Sequence, residues 1–231
     1  MFCDRCGTQV NPDQQFCTNF GRSFAGPPAA SGAVPPPAWT PPTVVQVASG
    51  RWIGAGWDLV KADMGTYALA ALIFFLLNGV PFIQGALITG FHIYTMKKMT
   101  GRRADFADLF KGFNYFIPTL VATLLIGVFT FIGTIFCIIP GLVVAAALKF
   151  TYLFIVDKRM DFWPAMQASH AVVKNDYFGF TMFLLLAFLV NVLGFILCFV
   201  GLLVTIPVTF AAITIAYKEL VGFEPRTVDA L

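Results

Sequence analysis

The stretch Tyr177–Tyr217, YFGFTMFLLLAFLVNVLGFILCFVGLLVTIPVTFAAITIAY, contains no Asp, Glu, Lys or Arg. It is about twice as long as the ~20 apolar residues that one membrane-spanning helix needs. Two other stretches, 64–96 and 112–148, are equally free of charge. Each reads as a helical hairpin that enters a bilayer and returns. The expected fold class is therefore all-α, a polytopic membrane bundle of about six spans in three hairpins. The spans fall near 65–80, 82–98, 114–136, 140–157, 177–199 and 201–218. At 1.5 Å per residue the first covers roughly 24 Å against a ~30 Å hydrocarbon core, so it thins the bilayer or pairs with the second as a re-entrant loop. Pro207 lies inside the last span and is expected to kink it.

Composition agrees. Hydrophobic residues make up 58% of the chain and charged residues 12%, about half the charged share of a soluble domain. A net charge of +3 gives no argument for a nucleic-acid partner. The cations flank the apolar stretches at Arg51 and Lys61, Lys97 to Lys111, Lys158 to Lys174, and Lys218 and Arg226. The turns near 78–84, 133–141 and 198–201 carry none. The positive-inside rule then puts both termini and both long connections in the cytoplasm. The expected location is the cytoplasmic membrane of a bacterium. The first residues are polar and cysteine-bearing, unlike a signal peptide.

Four parts follow one another: a cysteine-rich head, 1–24; a Pro-rich linker, 25–50, expected to be disordered; the membrane domain, 51–222; and a polar tail, 223–231. Inside the membrane domain three units look alike. Each opens with a short amphipathic lead, at 57–63, 106–112 and 171–176, before its hairpin. The outer turns of the last two units share a pattern, Gly133…Cys137 before Gly141 and Gly194…Cys198 before Gly201. These features suggest an internal parallel repeat. Two segments are expected to lie on the cytoplasmic surface. Asp105 would cap the first, with Asp108 in its first turn; Phe162, Trp163, Met166 and Val173 would anchor the second, 161–175.

The head carries Cys3-Asp4-Arg5-Cys6-Gly7, a Pro12-Asp13 turn, and Phe16-Cys17-Thr18-Asn19-Phe20-Gly21. It resembles the short bacterial zinc-ribbon head, in which two such knuckles give a tetrahedral zinc four thiolates. Phe20 stands where that pattern has its fourth cysteine. Cys3, Cys6 and Cys17 thus offer three metal ligands. Two states fit: a weakened Zn site completed by water, Asp4, Asp13 or another chain, or a metal-free ribbon. Cys137 and Cys198, at the outer turns, read as buried free thiols rather than a disulfide pair.

Lys149 is the one cation that does not flank a span. Placed near mid-membrane, it costs at least ~2.5–3.5 kcal/mol. It must snorkel, bond to carbonyls or water, lose its proton, or meet an anionic ligand such as a lipid phosphate. His92 could share a polar cavity with it. Asn78, Gln84 and Asn191 are placed to bond between helices. No nucleophile–base set, metalloprotease motif or phosphate-binding loop occurs.

The run Pro140-Gly141, Lys149-Phe150, Asp157, Trp163, Ala165, Ser169 and Lys174 resembles small bacterial membrane proteins related to the membrane domain of glycerophosphodiester phosphodiesterases. The resemblance covers about 51–222 and implies a six-helix bundle with a mid-helix basic residue and an Ala-x-x-x-Ser helix. It implies no phosphodiesterase activity, because the hydrolase domain has no counterpart here. The expected function is a non-enzymatic membrane scaffold or adaptor, whose tethered head binds a cytoplasmic or membrane protein partner. The alternative is a small transporter or lipid-binding protein with a polar cavity around Lys149 and His92. Membrane lipid is a partner in either case.

Overall fold

A computed structural model describes residues 39–42, 45–80, 82–197 and 200–230. The ligand candidates Cys3, Cys6 and Cys17, Phe20 and Cys198 lie outside the described residues. Residues 41–231 form one compact unit, and every regular element described in it is helical. In chain order these are α1 (Ser49–Ala62), α2 (Met64–Leu77), α3 (Gln84–Met99), a 3-10 helix (Phe106–Tyr115), α4 (Phe116–Phe136), α5 (Ile138–Ala147), α6 (Thr151–Asp157), α7 (Phe162–Val173), α8 (Tyr177–Ile196), α9 (Leu202–Leu220) and α10 (Pro225–Ala230).

Four stretches are long and apolar enough to cross a membrane: 106–136, 138–157, 177–196 and 202–220. The pair α1–α2 turns through 103° at Asp63 and counts as a fifth only if taken as one broken span. At 14 residues α2 is about 21 Å long, and α3 has 16 residues. Neither α2 nor α3 is by itself among the four, so the six expected spans are not all found among the described residues. The helix α9 runs continuously through Pro207. α1 begins at Ser49, inside the part of the chain expected to be linker, and Asn175 Nδ2 donates to Pro42 O at 3.0 Å.

The helix pairs α2–α3, α4 with α5–α6, and α8–α9 each have one outgoing and one returning arm, and the two arms are packed differently. Their returning arms, α3, α5–α6 and α9, form the centre. Phe91 of α3 lies 4.5 Å from Phe210 of α9, and Tyr217 of α9 packs edge-on against Phe154 of α6 at 5.1 Å. The outgoing arms α4 and α8 stay outside: 11% and 22% of their apolar windows are buried, against 50% and 44% for the arms that return from them. A hydrophobic side chain left on the outside of such a bundle is satisfied by lipid, so burial there need not be driven by water.

The lead segments lock this centre in a cyclic order. The 3-10 helix of the second unit seats on α3 of the first. Backbones meet there: a Cβ on Gly90 would strike the Leu109 backbone and one on Gly112 the Ala86 carbonyl. The Ala86-x-x-x-Gly90 spacing leaves the groove that makes this approach possible. α7 of the third unit seats on α5 and α6 of the second. α1 of the first seats on α9 of the third, where a Cβ on Gly56 would lie 2.8 Å from Val208 O. Trp52 of α1 also packs on Phe180 and Phe183 of α8.

Ion pairs tie the leads down at one end of the bundle. Lys97 Nζ is 2.7 Å from Asp108 Oδ1 with both side chains buried, and Lys111 reaches the same oxygen at 2.9 Å. Asp108 Oδ2 also accepts the Asp105 N–H at 2.9 Å, one half of a reciprocal capping box in which Asp105 is the N-cap residue. Lys98 pairs with Asp63. Glu219 takes Arg51 at 2.7 Å and Trp52 Nε1 at 2.6 Å. Two expected surface anchors are corrected. Met166 and Val173 of α7 are buried against the bundle, and only Trp163 is well exposed. Cys137 is an exposed free thiol, not a buried one, because α5 starts on the outer turn with its first residues uncovered.

Removing one member of a buried pair strands the other charge. Asp108→Ala should cost about 3–5 kcal/mol, read as a lowered midpoint of thermal unfolding in detergent. Lys111→Gln, which leaves the Lys97–Asp108 pair intact, should cost far less.

Candidate functional site: the break at Lys149

Lys149 does not sit in a helix. The span 138–157 stops at Ala147 and restarts at Thr151, and Lys149 occupies the turn between. A break within an apolar span leaves backbone groups that lipid cannot satisfy. They are satisfied here by the protein. Lys149 N bonds to Ala146 O at 3.2 Å and Thr151 N to Leu148 O at 3.3 Å. Thr151 Oγ1 donates to Leu148 O at 2.8 Å. The buried hydroxyl of Ser169, from α7, bridges the gap: it donates to Ala147 O at 2.7 Å and accepts from Phe150 N at 3.1 Å. Ser169 entered the sequence reading only as part of a diffuse resemblance. A serine on an amphipathic helix gives no signal of which backbone it will meet.

The Lys149 side chain is half-buried. It lines a small apolar cavity with Phe150, Phe180, Phe183, Ala187 and Ile213. No hydrogen bond or ion pair is made by its ammonium among the described residues. His92 is nearby, close enough for the lysine charge to act on it, yet it does not line that cavity. His92 is buried on α3 and held by Thr214 of α9, Nδ1 to Oγ1 at 2.9 Å. Thr214 Oγ1 donates its proton to Phe210 O at 2.8 Å, so Nδ1 carries the imidazole proton in that contact. The Phe210 ring covers the imidazole edge at 5.0 Å. The structure thus brings Lys149 and His92 to the same central region, but as a lysine without a pairing group among the described residues and an imidazole bonded to a threonine.

Below this region α6 ends on Asp157, which is buried. Its carboxylate accepts from Tyr217 OH at 3.0 Å and from Glu224 N at 2.8 Å, and Lys158 stands 3.3 Å away. Thr227 Oγ1 donates to Asp157 O at 2.7 Å. The residue that sequence placed at the cytoplasmic end of the span therefore binds the segment after α9 to the bundle. Lys158 also pairs with Glu224 at 2.9 Å, which holds the Glu224 carboxyl below its ordinary value of 4.5. Of the three residues flagged for interhelical bonds, Asn191 makes one: its Nδ2 donates to Thr209 Oγ1 of α9 at 2.7 Å. No cluster of three metal-binding side chains occurs among the described residues.

Over 159 residues, 69% of its length, the chain is 30% identical to an uncharacterized protein of Mycobacterium bovis. The same identity and extent hold for two uncharacterized proteins of Mycobacterium tuberculosis. The matched part is 45% of each relative, so the chain spans about half the length of the curated relatives it matches. No family model matches the chain, and no solved structure matches it.

Ser169→Ala removes both bonds across the break and leaves Phe150 N and Ala147 O unpaired. The expected cost is about 1–3 kcal/mol, measured as lost thermal stability. Ser169→Thr, which keeps the hydroxyl, should recover most of it if the extra methyl is accommodated.

Proposed function

We propose that this chain is a non-enzymatic membrane scaffold of the bacterial cytoplasmic membrane, with three parallel hairpins crossing from the cytoplasmic side and a ribbon-like head carried on the Pro-rich linker. The observation that carries this reading is the cyclic seating of each lead on the returning arm of another hairpin, fastened by ion pairs at one end. Such a bundle is a stiff platform. Its outgoing arms remain apolar outside, which suits contact with lipid or with other membrane proteins. The leads and ion pairs share the end at which the positive-inside rule places the cytoplasm. In this reading α2 and α3 form the shortest hairpin of six crossings, and the head, with Cys3, Cys6 and Cys17 as thiolate ligands for zinc, meets the protein partner. Membrane-impermeant maleimide should leave Cys3 and Cys17 unlabelled in intact cells and label them after permeabilisation. Deleting residues 1–24 should abolish partner recovery from solubilised membranes while the bundle still inserts. Labelling in intact cells, or unchanged recovery, overturns the reading.

A second reading, a lipid-binding protein, is favoured by one observation: the Lys149 ammonium has no pairing group among the described residues, in a span that is otherwise apolar. An anionic headgroup would neutralise it. Lys149→Met removes a charge worth about 2.5–3.5 kcal/mol of insertion cost. The variant should insert and fold at least as well as the parent and lose anionic lipid that co-purifies with it, quantified by mass spectrometry of the extracted lipid.

A further inference from the structure

Away from Lys149, a second cationic feature stands at the paired-charge end of the bundle. Lys111, Asn114 and Tyr115 of the 3-10 helix face Arg159, in the turn after α6, across a cleft that Thr227 closes. The cleft is partly open and has a volume of about 100 Å3. That is room for a phosphate-sized group and not for a whole lipid. A groove sharing Asn114, Tyr115 and Arg159 continues from it along Pro118 and Ile155, so a polar pocket opens onto an apolar path beside α4.

The electrostatics leave positive charge in this cleft. Asp108 is the one carboxylate between Lys97 and Lys111. Lys97 is buried on it, whereas the Lys111 side chain keeps 44% of its surface exposed. Arg159 is exposed and forms no ion pair among the described residues. The adjacent Asp157 is spent on Tyr217, the Glu224 N–H and Lys158. Asp161 lines the outer groove, where its Oδ1 caps α7 by accepting the Phe162 N–H at 2.8 Å. Two cations thus face one carboxylate on the walls. Arg159 also has φ +50, the left-handed region that glycine and asparagine adopt most readily. An arginine stands where its backbone is disfavoured.

We propose that this cleft binds a phosphate-bearing anion, with Arg159 as the forked donor and Lys111 as the point charge. A guanidinium presents paired N–H groups that match two phosphate oxygens, and an ammonium adds charge without fixing geometry. The source is the headgroup of an anionic phospholipid whose chain follows Pro118 and Ile155. Depth supports this. Phe106, Phe110 and Phe113 are exposed on the same 3-10 helix, and Phe110, Phe113 and Phe116 stack in series. Exposed phenylalanines suit the lipid side, and Tyr115 on the cleft wall is of a residue type enriched at headgroup level. The inference goes beyond both functional readings above and requires neither the head nor the Lys149 cavity.

The test uses the full chain in detergent, titrated with phosphatidylglycerol, phosphatidylcholine or inorganic phosphate and followed by native mass spectrometry. Phosphatidylglycerol should bind saturably. Arg159→Gly, whose new residue suits φ +50 and whose unfolding midpoint should not fall, should weaken that binding about tenfold or more. Lys111→Gln should weaken it less, and phosphatidylcholine, with its own ammonium, should bind more weakly than phosphatidylglycerol. Lys149→Met should retain the Arg159-dependent binding, which separates this site from the central cavity. Inorganic phosphate that binds in an Arg159-dependent way and displaces the lipid would assign the cleft to a soluble phosphate; failure to displace would assign it to the headgroup. Equal phosphatidylglycerol binding by the parent and both cleft variants, with no Arg159-dependent phosphate binding, would overturn the proposal.

Discussion

The close approach of backbones at Gly90 and Gly112 is the constraint from which the rest of the bundle follows. In lipid, exposed apolar side chains do not drive helices together, so contact must come from shape and polar pairing. At these two glycines the 3-10 helix and α3 touch without intervening side chains. That contact sets Asp108 against Lys97 and fixes where α4 begins. Gly56 does the same for α1 on α9. Once the leads are seated, the returning arms have nowhere to go but the centre, and the outgoing arms are left on the outside.

Polar groups inside such a bundle must be accounted for one at a time. Most are. Ser169 bridges the break at Lys149, Thr214 holds His92, and Thr209 holds Asn191 Nδ2. Thr123 and Tyr152 bond between α4 and α6 at 3.0 Å. The ammonium of Lys149 is the charge that this accounting leaves over among the described residues, on a residue that borders an apolar cavity. The contrast is with Lys97, buried but matched to Asp108. A broken span is also the form in which a bilayer tolerates irregular backbone, provided that protein covers the break.

The charged end has two layers. Asp63, Asp108, Asp157, Glu219 and Glu224 neutralise the cations that hold the leads and the segment after α9. Lys111 and Arg159 stand apart from this matching, one sharing a carboxylate and the other without an ion pair among the described residues. A count of lysines and arginines treats both layers alike, although the first is spent on folding and the second is open to a ligand.

Helical class and the long apolar segments were legible in the sequence, because lipid tolerates no unpaired backbone and few charges. Lys149 stood out for the same reason. Its place in a break did not, since Leu148, Lys149 and Phe150 carry no helix-breaking residue and the group that bridges the interruption, Ser169, arrives from α7. The inward packing of Met166 and Val173 was equally hidden, because an apolar face reads the same whether lipid or protein covers it. The sequence by itself thus determined which segments are apolar helices and where charge is allowed. Only the tertiary structure decided which arms lie at the centre, which carboxylate meets which lysine and which cations remain open, because those choices depend on backbone approach between residues far apart in the chain.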